Sequence, residues 1–140
     1  MTRILFVCTG NTCRSPMAEH LARQKTLELG LEIQTKSAGL LAEQGGANPN
    51  AIAALETYGL DLSRHKATQL TKELLLWADC IYTMTEQQAQ LLRGIAPNKE
   101  IRPLSPDGIP DPYGGSRALY KICAEKIKAA IDAAAEEWTL

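Results

Sequence analysis

The sequence predicts an α/β fold: a parallel sheet of four strands with helices covering both faces. Three observations carry this reading. Short apolar or alternating runs recur along the chain, with helical patterns between them. No internal repeat, linker or low-complexity stretch interrupts that order. The 140 residues are enough for one hydrophobic core, so residues 1–140 are expected to form a single three-layer domain.

The elements follow in order. Ile4, Leu5, Phe6 and Val7 make a short apolar run and predict a strand over 3–7. Ser15-Pro16 fits an N-cap followed by the first helical position, so a helix should run over 15–29 and end near Gly30. Residues 31–36 alternate apolar and polar, as a half-exposed strand does. Asn48-Pro49 opens a short helix through Ile52 and Leu55 that Gly59 ends. A further short helix should follow Thr71. Residues 79–84 read as a buried strand. Thr85 and Gln88 have capping-box spacing and start a helix to about Arg93. Residues 100–104 form the last strand. Ser116 caps a long helix with the stripe Leu119, Ile122, Cys123, Ile127, Ala130, Ile131, Ala134 and Trp138.

Composition excludes several classes. The net charge is −1, from 15 basic and 16 acidic residues, so no basic surplus favours nucleic acid or an anionic membrane. No apolar run approaches the ~20 residues that cross a bilayer. A strand begins at once, without a signal-peptide layout. Four cysteines in such a chain do not suggest a disulfide framework, and the expected location is cytoplasmic. They contain no C-x2-C pair and are widely spaced, so no metal site is expected.

The chemistry concentrates in Cys8-Thr9-Gly10-Asn11-Thr12-Cys13-Arg14-Ser15, a C-x5-R-S pattern between strand and helix. Gly10 and Asn11 tolerate the backbone angles of a compact loop. Such a loop turns its N–H groups inward at the positive end of a helix and holds an oxyanion. Thiols in that setting ionise with pKa values of roughly 3.5–7.5 against about 8.5 when free. Cys8 is therefore the candidate nucleophile, and Arg14 offers a planar fork for two phosphate oxygens. The nucleotide signature G-x-x-x-x-G-K-[ST] is absent from the sequence.

Ligands on parallel sheets bind beyond the carboxyl ends of the strands. That places Cys8, the Ser37-Ala38-Gly39 turn, Thr85 and the loop at 105–115 at one edge. A phosphocysteine enzyme needs a group that first gives and then takes a proton. Asp111, stiffened by Pro112, is the candidate acid, and Asp107 in a plain Pro-Asp-Gly turn is its rival.

The loop motif, Ser37-Ala38-Gly39, His65 and Asp111-Pro112-Tyr113 together resemble the low-molecular-weight protein tyrosine phosphatase family over nearly the whole chain. The resemblance implies the strand order 2-1-3-4. It implies Cys8 as nucleophile, Arg14 as phosphate clamp and Asp111 as acid and base, with the amides of Thr9, Gly10, Asn11, Thr12, Cys13 and Arg14 as the phosphate cradle. It also implies a bracing network of Asn11, Ser15, Ser37 and His65, with Ser15 donating to the Cys8 thiolate, and a reversible Cys8–Cys13 disulfide on oxidation. Cys13 reads equally as a small core residue. No cofactor is implied. The expected partner is a phosphorylated protein, and the expected state a monomer or weak homodimer.

Within the family, Thr12 resembles the protein-arginine phosphatase (YwlE-like) branch, since tyrosine-specific members usually carry an aliphatic residue there. Its hydroxyl would make the pocket wall less apolar, and Asp111 would pair with a guanidinium. Leu40 and Tyr113 are the other expected specificity residues, because Gly39-Leu40-Leu41 and Tyr113-Gly114 lack aromatic residues that many tyrosine-specific relatives carry. Alternatives are a tyrosine phosphatase, an arsenate reductase on a similar scaffold, and a silent phosphate-binding module. An arsenate reductase needs downstream cysteines as a relay, and Cys80 and Cys123 both fall on expected core faces.

Overall fold

The computed structural model describes residues 2–139. The elements in chain order are β1 (Arg3–Cys8), α1 (Arg14–Glu28), β2 (Gln34–Gly39), α2 (Pro49–Glu56), α3 (Lys72–Trp77), β3 (Cys80–Thr83), α4 (Glu86–Ile95), β4 (Glu100–Pro103) and α5 (Arg117–Trp138). All strand pairs are parallel, and the sheet order is β2-β1-β3-β4.

The two-residue period of β1 divides the core. Ile4, Phe6 and Cys8 face one side, where α1, α2 and α5 pack with Met17, Leu55, Tyr82, Tyr120 and Ile127. Leu5 and Val7 face the other, against Leu75, Ala89 and Leu92 of α3 and α4. All four strand residues from Ile4 to Val7 are fully buried, as a central parallel strand requires. Phe6 stacks on Tyr82 at 5.7 Å, and the Trp138 indole N–H donates to the Tyr82 hydroxyl at 3.1 Å.

The capping signals produce the expected local structure. Asn48, Thr71, Thr85 and Ser116 each accept a backbone N–H at a helix start, and Thr85 with Gln88 forms the full capping box. Gly59 has φ +74° just past α2.

Three expectations need correction. The second strand is Gln34–Gly39, not 31–36. Pairing with β1 sets its span, from Arg3 opposite Gln34 to Cys8 opposite Gly39. Leu31 and Ile33 pack against the core from the lead-in segment, which explains their alternation, and Ser37-Ala38-Gly39 is strand rather than turn. The first helix starts at Arg14 with Cys13 as N-cap and no side-chain cap, so Ser15 and Pro16 lie inside its first turn. Pro16 fits there because first-turn N–H groups have no intrahelical acceptor. On α5, Leu119 and Ile122 are exposed at 44% and 48%, while Tyr120 and Ala124 turn inward. Tyr120 can be buried because its hydroxyl meets the Cys13 Sγ at 3.3 Å.

Candidate active site

The loop between β1 and α1 is shaped by its carbonyls. Every one from Cys8 to Cys13 is engaged by a neighbour. Leu40 N donates to Cys8 O at 2.9 Å, Leu41 N to Thr9 O at 2.9 Å, Glu43 N to Gly10 O at 3.0 Å and Asn48 N to Thr12 O at 2.9 Å. The His65 Nε2 meets Asn11 O at 2.8 Å, and Met17 N donates to Cys13 O at 3.3 Å. A carbonyl only accepts, so the His65 proton sits on Nε2. In a trans peptide the N–H points opposite the preceding carbonyl. Carbonyls drawn outward therefore turn the N–H groups of residues 9–14 toward the cavity. Asn11 enables the tight path with φ +58°, the left-handed region that asparagine tolerates.

Asn11 also orders the hydroxyl network. Its Oδ1 accepts from Thr68 N at 2.8 Å, which fixes the orientation of the amide. Its Nδ2 then donates to Ser15 Oγ at 2.8 Å. With that lone pair occupied, the Ser15 proton is directed at Cys8 Sγ, 2.8 Å away. Asn11 N donates to the same sulfur at 3.3 Å. Two donors thus converge on the Cys8 sulfur. Ser15 serves the sulfur rather than capping α1, which corrects the expected N-cap.

Ser37 is not part of this network. Its hydroxyl donates to Glu19 Oε1 at 2.6 Å, tying β2 to α1. Ser37 lies two residues before the strand end, and it is Gly39 that adjoins the loop. Thr68, through its backbone, occupies the bracing role expected of Ser37.

A cavity of about 110 Å³ is lined by the whole loop from Cys8 to Arg14, with Glu43, Asp111 and Tyr113. Cys8 is 3% exposed, recessed among these groups. Arg14 is equally recessed, and its Nη1 donates to Ile109 O at 2.8 Å. That bond aims the guanidinium, whose Nη2 lies 3.7 Å from Asp111 Oδ2. Asp111 Oδ1 accepts from Tyr113 N at 3.0 Å, leaving Oδ2 to face the arginine. Asp107 instead lines a separate hollow beside Leu104 and Ala130. Thr12 is buried in the cavity wall. Leu40 is not in that wall: it lines an adjoining apolar groove of about 990 Å³ that shares Thr9.

The other thiols sit in unlike surroundings. Burial pushes the Cys13 thiol up, against opposing hydrogen bonds from Tyr120 and Thr12. Burial likewise raises Cys80 to about 11 and Cys123 to about 12. Cys8 and Cys13 are both free thiols. Among the described residues, no group of three His, Cys, Asp or Glu side chains is placed to hold a metal, and no helix is long and apolar enough to cross a membrane.

Four contributors escape a reading of side-chain chemistry. Ile109 and Thr68 act through backbone atoms. Gln88 donates from Nε2 to the Thr9 hydroxyl at 3.3 Å, and only its capping role is legible in spacing. Gly39 permits a close backbone approach: a Cβ there would lie 2.7 Å from Thr9 O. The sole local signal for it was a glycine at a strand end.

Comparison with known proteins agrees with this geometry. The protein-arginine-phosphatase of Bacillus subtilis (strain 168) is 37% identical over 134 residues, covering 89% of each chain. Arsenate reductase 2 of Staphylococcus haemolyticus (strain JCSC1435) is 33% identical over 129 residues, covering 92% of each. A solved cysteine-to-serine mutant of YwlE arginine phosphatase, with a phosphorylated active-site serine, superposes with a TM-score of 0.92 at 33% identity, over 99% of this chain and 96% of that one. The family model for low molecular weight phosphotyrosine protein phosphatase matches residues 3–139. The chain therefore belongs to the low-molecular-weight phosphotyrosine protein phosphatase family.

Proposed function

We propose that this protein removes phosphoryl groups from arginine side chains of phosphorylated proteins through a phosphocysteine intermediate. One observation carries the reading: Cys8, Arg14 and Asp111 line a single small cavity, with Asp111 Oδ2 beside the Arg14 guanidinium. The Cys8 thiolate attacks phosphorus, and the P–N bond breaks with its electron pair going to nitrogen. The Asp111 carboxyl gives that nitrogen a proton, so the product arginine leaves as a guanidinium. Water then attacks the phosphocysteine as Asp111 takes its proton. The S–P bond breaks, inorganic phosphate leaves, and the Cys8 sulfur returns as thiolate under the Ser15 hydroxyl. The loop amides and Arg14 balance the phosphoryl charge throughout.

Preference for arginine over tyrosine draws on Thr12 in the cavity wall and on the similarity to named protein-arginine phosphatases. The test is kcat/KM on phosphoarginine and phosphotyrosine peptides for wild type and Thr12→Ile. The variant should lose about tenfold or more on phosphoarginine while phosphotyrosine turnover holds or rises. Equal effects on both substrates would sink the arginine preference. Likeness to an arsenate reductase makes a second reading worth testing. A relay needs mobile thiols, whereas Cys80 is fixed in β3 and Cys123 in α5, both buried. Arsenate-dependent thiol consumption by the same preparation would reverse the order of the two readings.

A further inference from the structure

The catalytic cavity has a carboxylate that the proposed chemistry does not use. Glu43 lies in the connection after β2, and its backbone N–H is anchored on Gly10 O at 3.0 Å. Its side chain folds back over the phosphate loop. The Cγ, Cδ and Oε1 atoms all stand 3.4 Å from where a Gly10 Cβ would be, which places the carboxylate against the Gly10 backbone. It lines the same cavity as Cys8, Arg14 and Asp111. No cation among the described residues forms a salt bridge with it, and Arg14 is turned toward Ile109 O and Asp111.

This placement runs against the rest of the site. The floor is built from amide donors and a guanidinium to receive an anion. The Glu43 carboxylate at its mouth repels that anion unless the substrate brings a positive charge beside it. A phosphotyrosine offers a neutral ring at that level. A phosphoarginine keeps a positive guanidinium, rich in N–H donors, next to its phosphoryl group, and releases a full guanidinium as product.

We infer that Glu43 is a specificity-determining residue that receives the substrate guanidinium opposite Asp111, making the cavity mouth selective for phosphoarginine. The inference rests on the proposed arginine phosphatase function. Thr12 and Asp111 would select by wall polarity and proton delivery. Glu43 would select by charge alone, at the rim.

The experiment compares Glu43→Gln with wild type on two peptides that carry phosphoarginine or phosphotyrosine between alanine and glycine neighbours. Those neighbours leave the phosphorylated side chain as the only charge read. Glu43 is exposed, and its loop is held by a backbone hydrogen bond, so the fold should tolerate the change; an unaltered melting temperature checks this. On phosphoarginine, kcat/KM should fall about tenfold, the loss of one charge-assisted contact at a partly solvated site. On phosphotyrosine it should stay level or rise. The wild-type preference should weaken as salt is raised, and that of Glu43→Gln should not. Equal loss on both peptides, or no change on either, overturns the role of Glu43 while leaving the phosphatase reading intact. Wild type without phosphoarginine turnover, yet active on phosphotyrosine, overturns the parent reading instead.

Discussion

Gly39→Ala adds one methyl group where β2 meets the phosphate loop. Its Cβ would stand 2.7 Å from Thr9 O and 3.1 Å from both the nitrogen and the Cβ of Asn11. None of these atoms is the tip of a flexible side chain. Ordinary contact begins near 3.4 Å, so strand and loop must part by roughly 0.7 Å, the difference from 2.7 Å. They are not free to part. Leu40 N and Leu41 N grip the Cys8 and Thr9 carbonyls on one side, and Gly39 N donates to Thr68 O at 2.8 Å on the other. Overpacking of this kind costs about 1–3 kcal/mol. A shift of comparable size at reacting groups lowers the rate by about 10²-fold. Gly94→Ala is the matched control. Nothing lies within 4 Å of its added Cβ, and it sits inside α4, so it should stabilise by about 0.5–1 kcal/mol. Urea melts and kcat on p-nitrophenyl phosphate read both effects. A Gly39→Ala protein with wild-type kcat and midpoint would refute the claim that this close approach sets the loop.

Ser15→Ala should lower kcat by about 10–100-fold, because a hydrogen bond to a charged sulfur contributes about 1.5–3 kcal/mol; phosphoenzyme should accumulate in quenched samples. Ser37→Ala should leave kcat unchanged and cost about 1.5–3 kcal/mol in a urea melt, since its partner is the Glu19 carboxylate. Stability should fall as pH rises from 9 toward 12. Burial lifts Cys80 to about 11 and Cys123 to about 12 from 9.0, and Tyr82 to about 12 from 10.0. In that window the unfolded chain has already lost protons that the folded chain keeps. The stabilisation is complete below the unfolded values and disappears as pH passes through the folded ones, at up to about 1.4 kcal/mol per pH unit for each group. A flat urea midpoint between pH 9 and 11, under reductant, would contradict the burial of these groups.

The sequence made legible whatever depends on neighbours along the chain. The apolar run of β1, the caps at Asn48, Thr71, Thr85 and Ser116, and the loop motif all depend on local spacing. Features settled by partners across the fold were misread. Leu31 and Ile33 alternate like a strand, yet pairing with β1 begins at Gln34. Leu119 and Ile122 are more apolar than Tyr120, yet Tyr120 is buried because Cys13 satisfies its hydroxyl. Ser15 has the chemistry of an N-cap, but the sulfur seven residues earlier claims its proton. Ser37 misses its expected bracing role for the same reason: its hydroxyl faces α1, while the Thr68 backbone amide faces Asn11. Glu43 had no motif at all, and only the return of its loop over Gly10 brings it to the cavity.

This dependence on distant partners bears on how the site works. The carbonyls of the phosphate loop are held by residues from the connection after β2, the start of α2, the segment carrying His65, and α1. A free loop of this composition would have no reason to turn its amides inward against their mutual repulsion. Those contacts settle that cost during folding rather than during each turnover. Donors fixed beforehand need no reorganisation when charge develops at phosphorus, which is the condition under which they lower a barrier most. The rigidity of the loop is therefore a property of the whole sheet edge. Substitutions at Gly39 or His65 should change activity through amide direction even though neither residue lines the catalytic cavity.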